Sequence, residues 1–508
     1  MKYQSTRGKI AGLTSAEVIA HGLSDDGGLF VPESFPRISL DTVMRLVSMP
    51  YNKRAAYIMS LFLSDFSIDE LEEYSCAAYS VDKSNGHGTD NKAGRFTDER
   101  IAPLHKINCN THFLELWHGP TCAFKDMALQ VTPRLLTASL KKIGEKRDVC
   151  ILVATSGDTG KAALDGFRDI QGTKIMIFYP HDGVSKVQKL QMITQEGSNV
   201  NVVAVDGNFD DTQTGVKQIF SDKSLRTKLS DFGYILSSAN SINWGRLVPQ
   251  VAYYISSYCD LINSGEIKPG DKINFCVPTG NFGNILAAYY AERMGLPINK
   301  LICASNRNDV LTQFIDTGVY NKNRPFYTTA SPSMDILISS NLERLLYELS
   351  DKDGDAVSSY MAALSNNGFY SVSDTVQAEL GRVFASGKCS EEDTMKTIGD
   401  VFGKYDYLID THTAVAYKVL DDYRLMSGDE TISVIVSTAS PFKFCEAVLD
   451  ALGHEHLDSG TALIDTLAGV TGCPVPKSLM ELKSKTPRFD RSVAKNDMKG
   501  SVISFVKS

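Results

Sequence analysis

The sequence lacks several features that would place it in a membrane, outside the cell or on nucleic acid. It has no apolar run near the roughly 18 residues of a membrane helix, and its first residues lack the apolar core of a signal peptide. It has no long basic run, and its formal net charge of -8 disfavours binding to nucleic acid or to an anionic membrane. We therefore expect a soluble, cytoplasmic protein.

Signals for disulfides and metal sites are also missing. No two of the ten cysteines stand in a CxxC pair, and several lie in apolar stretches. We therefore expect buried free thiols in a reducing compartment. His454 and His456 have no third ligand at a recognisable spacing, so we expect a polar turn there and no metal.

What the chain does contain is typical of a globular protein with several domains. It has 508 residues, of which 43% are apolar and 22% charged. At roughly 150 residues per domain, two to four domains are expected. Apolar positions spaced by three and four predict helices at 39–47 and 55–63. The polar, glycine-rich stretch 82–95 predicts an exposed loop and a boundary.

Between residues 110 and 310, short β-rich runs alternate with amphipathic stretches. Such alternation is typical of parallel sheets covered by helices on both faces. The predicted strands are 149–154, 174–179, 200–205, 274–277 and 301–304, and the predicted helices are 161–167, 187–196, 214–220 and 285–294. Farther along, residues 340–405 are predicted to be helical, and a last strand at 431–436 precedes a helix at 444–452.

Three turns that follow predicted strands are candidates for ligand binding. They are 154–160 (ATSGDTG), 279–284 (TGNFGN) and 437–441 (STASP). In open α/β sheets, ligands bind beyond the carboxyl ends of strands, and helix N-termini there attract anions. One turn could hold a phosphate and another a carboxylate, although each alone is also explained as a tight turn without a ligand. None matches the GxGxxG or GxxxxGK[ST] nucleotide motifs.

A fourth segment, 118–126 (HGPTCAFKD), places Lys125 at the start of an apolar stretch. Burial would lower the pKa of this lysine and favour the neutral amine that Schiff-base chemistry requires. From spacing alone, a surface lysine paired with Asp126 explains the segment as well. Together, an amine, a phosphate-binding turn and a further turn fit one cofactor, pyridoxal phosphate.

These segments resemble the threonine synthase family, in the branch typified by enteric-bacterial and fungal enzymes. The matching segments run in the family's order from about residue 3 to 452, which makes the resemblance far more specific than any single motif. They are 27–32 (GGLFVP), 118–126, 154–160, 238–246 (SANSINWGR), 278–283 (PTGNFG), 333–335 (SMD) and 412–417 (HTAVAY).

The resemblance implies an α/β enzyme of fold type II, the class of pyridoxal phosphate enzymes that includes the tryptophan synthase β subunit. Two open, twisted, parallel-sheet domains would then follow an N-terminal helical extension. The implied divisions are residues 1–95 for the extension, 151–244 for a small domain, and 96–150 with 245–508 for a large domain that carries a helical insertion at about 340–405.

The resemblance also implies roles for particular residues. Lys125 would be the catalytic lysine that bonds the cofactor, Thr438 would face the pyridine nitrogen, and Asp158 would contact the cofactor. The cofactor phosphate would rest on Gly280, Asn281, Phe282, Gly283 and Asn284. The substrate carboxylate would lie on Thr155, Ser156 and Thr159, and the substrate phosphate on Ser241, Asn243 and Arg246.

The activity implied is conversion of O-phospho-L-homoserine and water to L-threonine and phosphate, by a monomer or a homodimer. A phospholyase on the same scaffold, which would release 2-oxobutanoate, ammonia and phosphate, is the alternative. A binding protein without catalysis is disfavoured because Lys125 and all three turns are intact. Two points depart from the family or stay open: Ser440 stands where many relatives have histidine, and His412 either orients a loop or transfers protons.

Overall fold

Strands and helices alternate through the middle of the chain, as the hydrophobic pattern predicts. The computed structural model describes residues 1–82, 94–155, 157–181, 184–456 and 460–508. Its strands are β1 (Tyr3–Ser5), β2 (Phe30–Pro32), β3 (Leu104–Lys106), β4 (Thr111–Glu115), β5 (Asp148–Ala154), β6 (Thr173–Pro180), β7 (Val200–Asp206), β8 (Tyr234–Ser237), β9 (Ile273–Pro278), β10 (Ile298–Ser305), β11 (Val319–Asn321), β12 (Phe369–Ser371), β13 (Phe384–Lys388), β14 (Ser433–Ser437) and β15 (Ser492–Ala494).

The α-helices carry the following bounds in chain order. They are α1 (Ser15–His21), α2 (Leu40–Val47), α3 (Tyr51–Phe62), α4 (Ile68–Ala78), α5 (Asp126–Leu129), α6 (Thr132–Lys142), α7 (Asp158–Phe167), α8 (Lys186–Ile193), α9 (Phe209–Ser221), α10 (Lys223–Asp231), α11 (Trp244–Asn263), α12 (Gly283–Met294), α13 (Val310–Thr317), α14 (Leu342–Leu349), α15 (Gly354–Asn366), α16 (Asp374–Val383), α17 (Glu391–Tyr405), α18 (Thr411–Ser427), α19 (Cys445–Ala451), α20 (Ala462–Thr471), α21 (Lys477–Met480) and α22 (Met498–Lys507).

Two sheets form the framework of the molecule. The first has the strand order β13-β10-β9-β14-β4-β3, and its strands are parallel except β3, which is antiparallel to β4. The second has the order β15-β7-β6-β5-β8 and is parallel throughout. The inner strands β4, β5, β6, β9 and β14 are almost continuously buried, as expected when helices cover both faces. The edge strands β3, β8, β13 and β15 are partly exposed. This confirms the predicted α/β architecture.

The N-terminal extension packs on the long helix α11. Trp244, at the first position of that helix, is fully buried and contacts Tyr3 and Phe62 edge-on, with ring centroids 5.3 and 5.6 Å apart. Edge-to-face contacts of this kind add to the free energy gained from burying the rings. The extension therefore shares one continuous apolar core with both sheets.

The C-terminal segment lies elsewhere than the sequence analysis placed it. Residues 245–508 were all assigned to the large domain, yet β15 pairs with β7 at the edge of the second sheet. Val502 and Phe505 of α22 bury their side chains in that sheet's own apolar cluster. The boundary at residue 150 also falls inside a strand, because β5 begins at Asp148. Burial of the α22 apolar face explains the placement.

The region 340–405 is mostly helical, as predicted, but two strands interrupt it. The strand β13 is the edge of the first sheet and pairs in parallel with β10. Its first residue, Phe384, packs on Phe282 with ring centroids 5.8 Å apart. This region therefore supports the turn after β9 rather than standing apart from it. None of the described helices combines the length and the apolar character needed to cross a membrane.

Candidate active site

Lys125 lies at the end of the first sheet, beside the turn that follows β14. The backbone N–H of Phe124 donates to the carbonyl oxygen of Thr438 at 2.8 Å. Ala123 forms an isolated antiparallel bridge with Ala439. These two contacts hold the residues before Lys125 against the third of the predicted turns. The sequence-predicted pair Lys125 and Thr438 is thus brought together.

The amino group of Lys125 is enclosed by polar partners. Its Nζ lies 3.4 Å from Ser333 Oγ and 3.8 Å from Asp158 Oδ2. Only 12% of its side chain is exposed. Burial lowers the pKa of Lys125 to about 8, helped by nearby cations and opposed by the Asp158 carboxylate. A lysine in this state supplies neutral amine near physiological pH.

Asp126, the alternative partner of Lys125, is engaged with Thr121. The Thr121 backbone N–H and hydroxyl donate to its carboxylate at 2.8 and 2.7 Å. Burial raises the pKa of Asp126 to about 7. The surface ion pair that the sequence allowed is therefore absent from the described contacts of Lys125.

Asp158 connects the second sheet to this lysine. It is the first residue of α7, directly beyond the carboxyl end of β5, and its side chain is 3% exposed. Its Oδ1 accepts from Lys443 Nζ at 2.6 Å and from Gln188 Nε2 at 2.8 Å. Burial would raise the pKa of Asp158, but the ammonium groups of Lys443 and Lys125 hold it well below its usual range.

The turn after β9 has the backbone geometry of an anion site. Phe282 has φ of 63°, a left-handed conformation that is uncommon for a bulky residue and marks local strain. The next residue, Gly283, begins the twelve-residue helix α12, and no side chain caps its first N–H groups. Uncapped helix N-termini bind phosphate well. Buried Asn284 Nδ2 also lacks a hydrogen-bond partner within the protein.

Ser333 joins this turn to Lys125. A Cβ atom on Gly280 would come 2.6 Å from the Ser333 carbonyl oxygen. The same residue places its hydroxyl 3.4 Å from Lys125 Nζ. The backbone N–H of Ser333 in turn donates to His412 Nε2 at 3.1 Å, and His412 Nδ1 lies 2.9 Å from Asp410 Oδ1. His412 Nε2 therefore accepts a hydrogen bond from the Ser333 loop, and Asp410 orients the imidazole ring.

The three residues predicted to bind substrate phosphate lie around the start of α11. Arg246 is 3% exposed and donates to the Ala239 carbonyl, while its Nε has no partner within the protein. Burial lowers the pKa of Arg246 to about 10, so it remains a cation. Ser241 Oγ accepts from Asn341 Nδ2 at 3.2 Å, and the same amide also donates to the Asn281 carbonyl at 3.0 Å. The loop before α11 and the turn after β9 are thereby joined.

Asn243 has a side chain that is committed to the protein's own backbone. Its Oδ1 accepts from Gly245 N at 2.8 Å and caps α11, and its Nδ2 donates to Ile19 O at 3.0 Å. Arg344, fully buried, reaches the same loop through the Ile242 carbonyl at 2.6 Å and the extension through the Phe30 carbonyl at 2.9 Å. The side chain of Asn243 therefore positions the start of α11 against the N-terminal extension.

The turn after β5 is organised by Thr155. Its Oγ1 accepts from the backbone N–H groups of Gly157 at 3.0 Å and Gly160 at 2.9 Å. This hydroxyl thus shapes the loop around which a carboxylate would bind. Thr159 is partly buried in the first turn of α7. Ser156 lies outside the described residues.

Four contributors to the site were not given a role by the sequence analysis. They are Lys443, Gln188, Ser333 and Asn341. Ser333 lies within the family segment 333–335, but the other three carry no local signal, because each reaches the site from a distant part of the chain. Among the described residues, no group of three or more histidine, cysteine, aspartate or glutamate side chains is arranged to hold a metal ion.

The residues present fit pyridoxal phosphate. An amine of lowered pKa, an uncapped helix N-terminus and the buried, unpartnered Nδ2 of Asn284 meet the cofactor's need for a covalent link and an anion site. Lys125 and the residues from Gly280 to Asn284 would hold it, with Thr438 and Asp158 beside it.

Comparisons with known proteins agree with this geometry. Three family models match successive parts of the chain: "Threonine synthase N terminus" at residues 2–79, "Pyridoxal-phosphate dependent enzyme" at 98–438 and "Threonine synthase, C-terminal" at 413–500. The chain is 40% identical over 449 residues to threonine synthase of Pseudomonas aeruginosa, covering 88% of this chain and 90% of the relative. It is 38% identical over 503 residues to human threonine synthase-like 1, covering 96% of this chain but 65% of that relative's length.

Solved structures show the same likeness. A structure of threonine synthase from Brucella melitensis with bound pyridoxal phosphate superposes with a TM-score of 0.87 and 35% identity, over 100% of both chains. Yeast threonine synthase gives a TM-score of 0.86 and 32% identity, over 100% of this chain and 98% of that one. These likenesses confirm the predicted fold type II architecture.

Proposed function

Because the chain belongs to the threonine synthase family of pyridoxal-phosphate-dependent enzymes, we propose that it converts O-phospho-L-homoserine and water to L-threonine and inorganic phosphate. One observation carries the proposal. The amine of Lys125 lies 3.8 Å from Asp158 of the second sheet and, through Ser333, adjoins the uncapped turn of the first. An amine beside an anion site, between two sheets, suits a phosphorylated cofactor that must be both bonded and anchored.

Different residues would bind the phosphate and the ring of the cofactor. When bound, pyridoxal phosphate supplies an aldehyde that bonds amines and a ring that draws electrons from the substrate's α carbon. The N–H groups of the first turn of α12 would hold the cofactor phosphate, and Asn284 would add its unpartnered amide. Thr438, a hydroxyl rather than a carboxylate, would face the pyridine nitrogen without strongly favouring its protonation.

Lys125 supplies both the bonding amine and the proton-transfer group. With a pKa of about 8, about half of its amine is neutral at pH 8. A neutral amine accepts a proton, and the resulting ammonium returns it, so one nitrogen serves as general base and then as general acid. Ser333 Oγ and Asp158 Oδ2 lie near that nitrogen and keep it oriented.

The substrate's phosphate would meet Arg246 and Ser241. The buried guanidinium of Arg246 still has an unpartnered Nε, and a fork of N–H donors matches phosphate oxygens. Retained beside Arg246 and Asn281 after it leaves, the phosphate would be placed to deprotonate the attacking water. Thr155 shapes the loop that would receive the substrate's carboxylate.

Product analysis tests the proposal directly. The purified protein is incubated with O-phospho-L-homoserine while phosphate, threonine, 2-oxobutanoate and ammonia are measured together. Equal amounts of phosphate and threonine are expected. Phosphate accompanied by 2-oxobutanoate and ammonia would instead establish the phospholyase, and no phosphate release would reject both activities.

We also place the protein in the cytoplasm, as the sequence predicts. All ten cysteines are free in the structure, including Cys276 and Cys303, which are fully buried in the core. Buried thiols without disulfides are typical of a reducing compartment.

A further inference from the structure

A second lysine lies within the site, and the proposed reaction does not yet use it. Lys443 ends the short 3-10 segment Pro441–Lys443 that follows the turn after β14, and its side chain is 0% exposed. Its Nζ lies 2.6 Å from Asp158 Oδ1 and donates to the Thr121 carbonyl at 2.9 Å. Such complete burial of a lysine requires an anionic partner, which Asp158 supplies.

Asp158 therefore stands between two lysines that approach different oxygens. Oδ1 takes Lys443 and Gln188, whereas Oδ2 lies near Lys125 Nζ and the Ser333 hydroxyl, at 3.8 and 3.5 Å. The donors on Oδ1 are both fixed by other contacts or by burial. The donors on Oδ2 are the reacting lysine and a hydroxyl that can rotate. Oδ1 is therefore held in place, whereas Oδ2 faces the amine of Lys125 that would react.

The charge of Lys125 changes during any reaction in which it acts. As a nucleophile or base it is neutral, so it then offers Asp158 no positive charge. A buried carboxylate that loses its counter-ion takes up a proton, because burial disfavours the ionised form. A cation that does not react is needed if Asp158 is to stay ionised throughout.

Resting on the proposed function, we propose that Lys443 is a positioning residue: the permanent counter-ion that keeps Asp158 ionised, with Oδ2 turned toward Lys125, while Lys125 gains and loses charge. Lys443 suits this role because it is held as a donor to both an anion and a carbonyl. A nitrogen committed in this way offers no lone pair, so Lys443 does not compete with Lys125 as the reacting amine. The charged groups near Lys125 are Asp158, Lys443, Asp126 and Arg246.

A double-mutant cycle separates this role from simple space filling. Lys443→Met keeps the volume of the side chain and removes its charge, and Asp158→Asn removes the charge it balances. If Lys443 acts through Asp158, Lys443→Met lowers kcat about tenfold or more in the native background. In the Asp158→Asn background, the same substitution changes kcat by less than about twofold.

The pH dependence gives a second readout. Without the Lys443 ammonium, the pKa of Asp158 rises, so kcat of Lys443→Met falls as pH is lowered through that new pKa. The visible absorbance of the bound cofactor, recorded without substrate, gains a pH transition that the double variant lacks. This spectrum needs no turnover, so it remains informative even if threonine is not the product.

Two controls and the contrary outcomes complete the test. Lys161→Met removes another buried lysine, paired with Asp165 at 3.7 Å, and is expected to lower stability without adding the spectral transition. Equal losses of kcat in both backgrounds, or a native spectrum and kcat for Lys443→Met, would overturn the proposal. If Lys443→Met fails to fold, the double variant Lys443→Met, Asp158→Asn decides between the two roles. If it binds the cofactor as well as Asp158→Asn does, the charge of Lys443 is what matters. If it also fails to fold, Lys443 acts through packing and the proposal is overturned.

Discussion

The carbonyl oxygen of Ser333 lies 2.6 Å from the point that a Cβ atom on Gly280 would occupy. No side chain fits there, because the obstacle is backbone rather than a flexible terminus. The approach also places the Ser333 hydroxyl next to Lys125. Gly280 therefore allows Ser333 to contact both the turn after β9 and Lys125.

Gly280→Ala is expected to weaken cofactor binding. The added methyl forces the turn and the Ser333 loop apart, and overpacking of this kind costs about 1–3 kcal/mol, or about 5- to 150-fold in affinity. Titration of the cofactor's visible absorbance measures the change. Gly403→Ala is the matched control: it lies in α17 with no atom within 4 Å of the new Cβ, so it is expected to bind the cofactor normally.

Lys125→Ala is expected to abolish the visible absorbance of bound cofactor and nearly all turnover. The reason is that no other described lysine reaches the site with an uncommitted nitrogen, since Lys443 is bonded to Asp158. Absorbance spectra and phosphate release measure the two effects. Lys141→Ala, an exposed lysine on α6, serves as control and should retain both. A variant without Lys125 that kept both would place the reacting amine elsewhere.

Attachment of pyridoxal phosphate to the apoenzyme is expected to accelerate with rising pH and to level off above about pH 8. The neutral amine of Lys125 is the attacking form, and burial has lowered its pKa from 10.5 to about 8. Stopped-flow absorbance across this pH range measures the rate. A rate that kept rising toward pH 10.5 would mean that the lysine is solvated as in water.

Ser241→Ala and Asn243→Ala are expected to separate binding from stability. Asn243 caps α11 and bonds Ile19, so its loss should lower the free energy of unfolding by about 1–2 kcal/mol. Ser241 bonds only the Asn341 amide among its described contacts, so its loss should raise KM for the phosphorylated substrate with little effect on stability. Thermal unfolding measures stability, and steady-state kinetics measure KM. If Asn243→Ala raised KM and Ser241→Ala lowered stability, the roles given to the two residues would be exchanged.

Arg344→Met is expected to destabilise the protein by about 3 kcal/mol or more. The guanidinium is fully buried and donates to the Phe30 and Ile242 carbonyls, which would be left buried without a donor. Urea unfolding measures the loss. Because the Ile242 loop carries Ser241, KM is expected to rise even where the variant is folded. Arg344→Lys, which restores one donor, should recover part of both.

Much of this site was readable from the sequence because its parts are local. A strand followed by a glycine-rich turn and a helix start is encoded within about fifteen residues, and hydrophobic period and turn residues reveal it. The turn 279–284 and Lys125 belong to this class. Their association in space came from the family resemblance, since no spacing rule joins segments so far apart.

What the sequence did not reveal depends on pairing between distant segments. Lys443 looks like any lysine until the fold places it against Asp158, and nothing local indicates that its side chain is fully buried. Ser333 is similar, because its importance arises from an approach to Gly280. The three-residue strand β15 has too few positions for an alternating pattern to be recognised.

The placement of β15 also bears on how the chain is made. The second sheet draws its strands from Asp148 to Ala494, so its β7 edge stays uncovered until Ser492–Ala494 has left the ribosome. An open parallel edge is a template for wrong pairing during that interval. Chaperone protection would therefore matter most between the synthesis of β7 and the synthesis of β15.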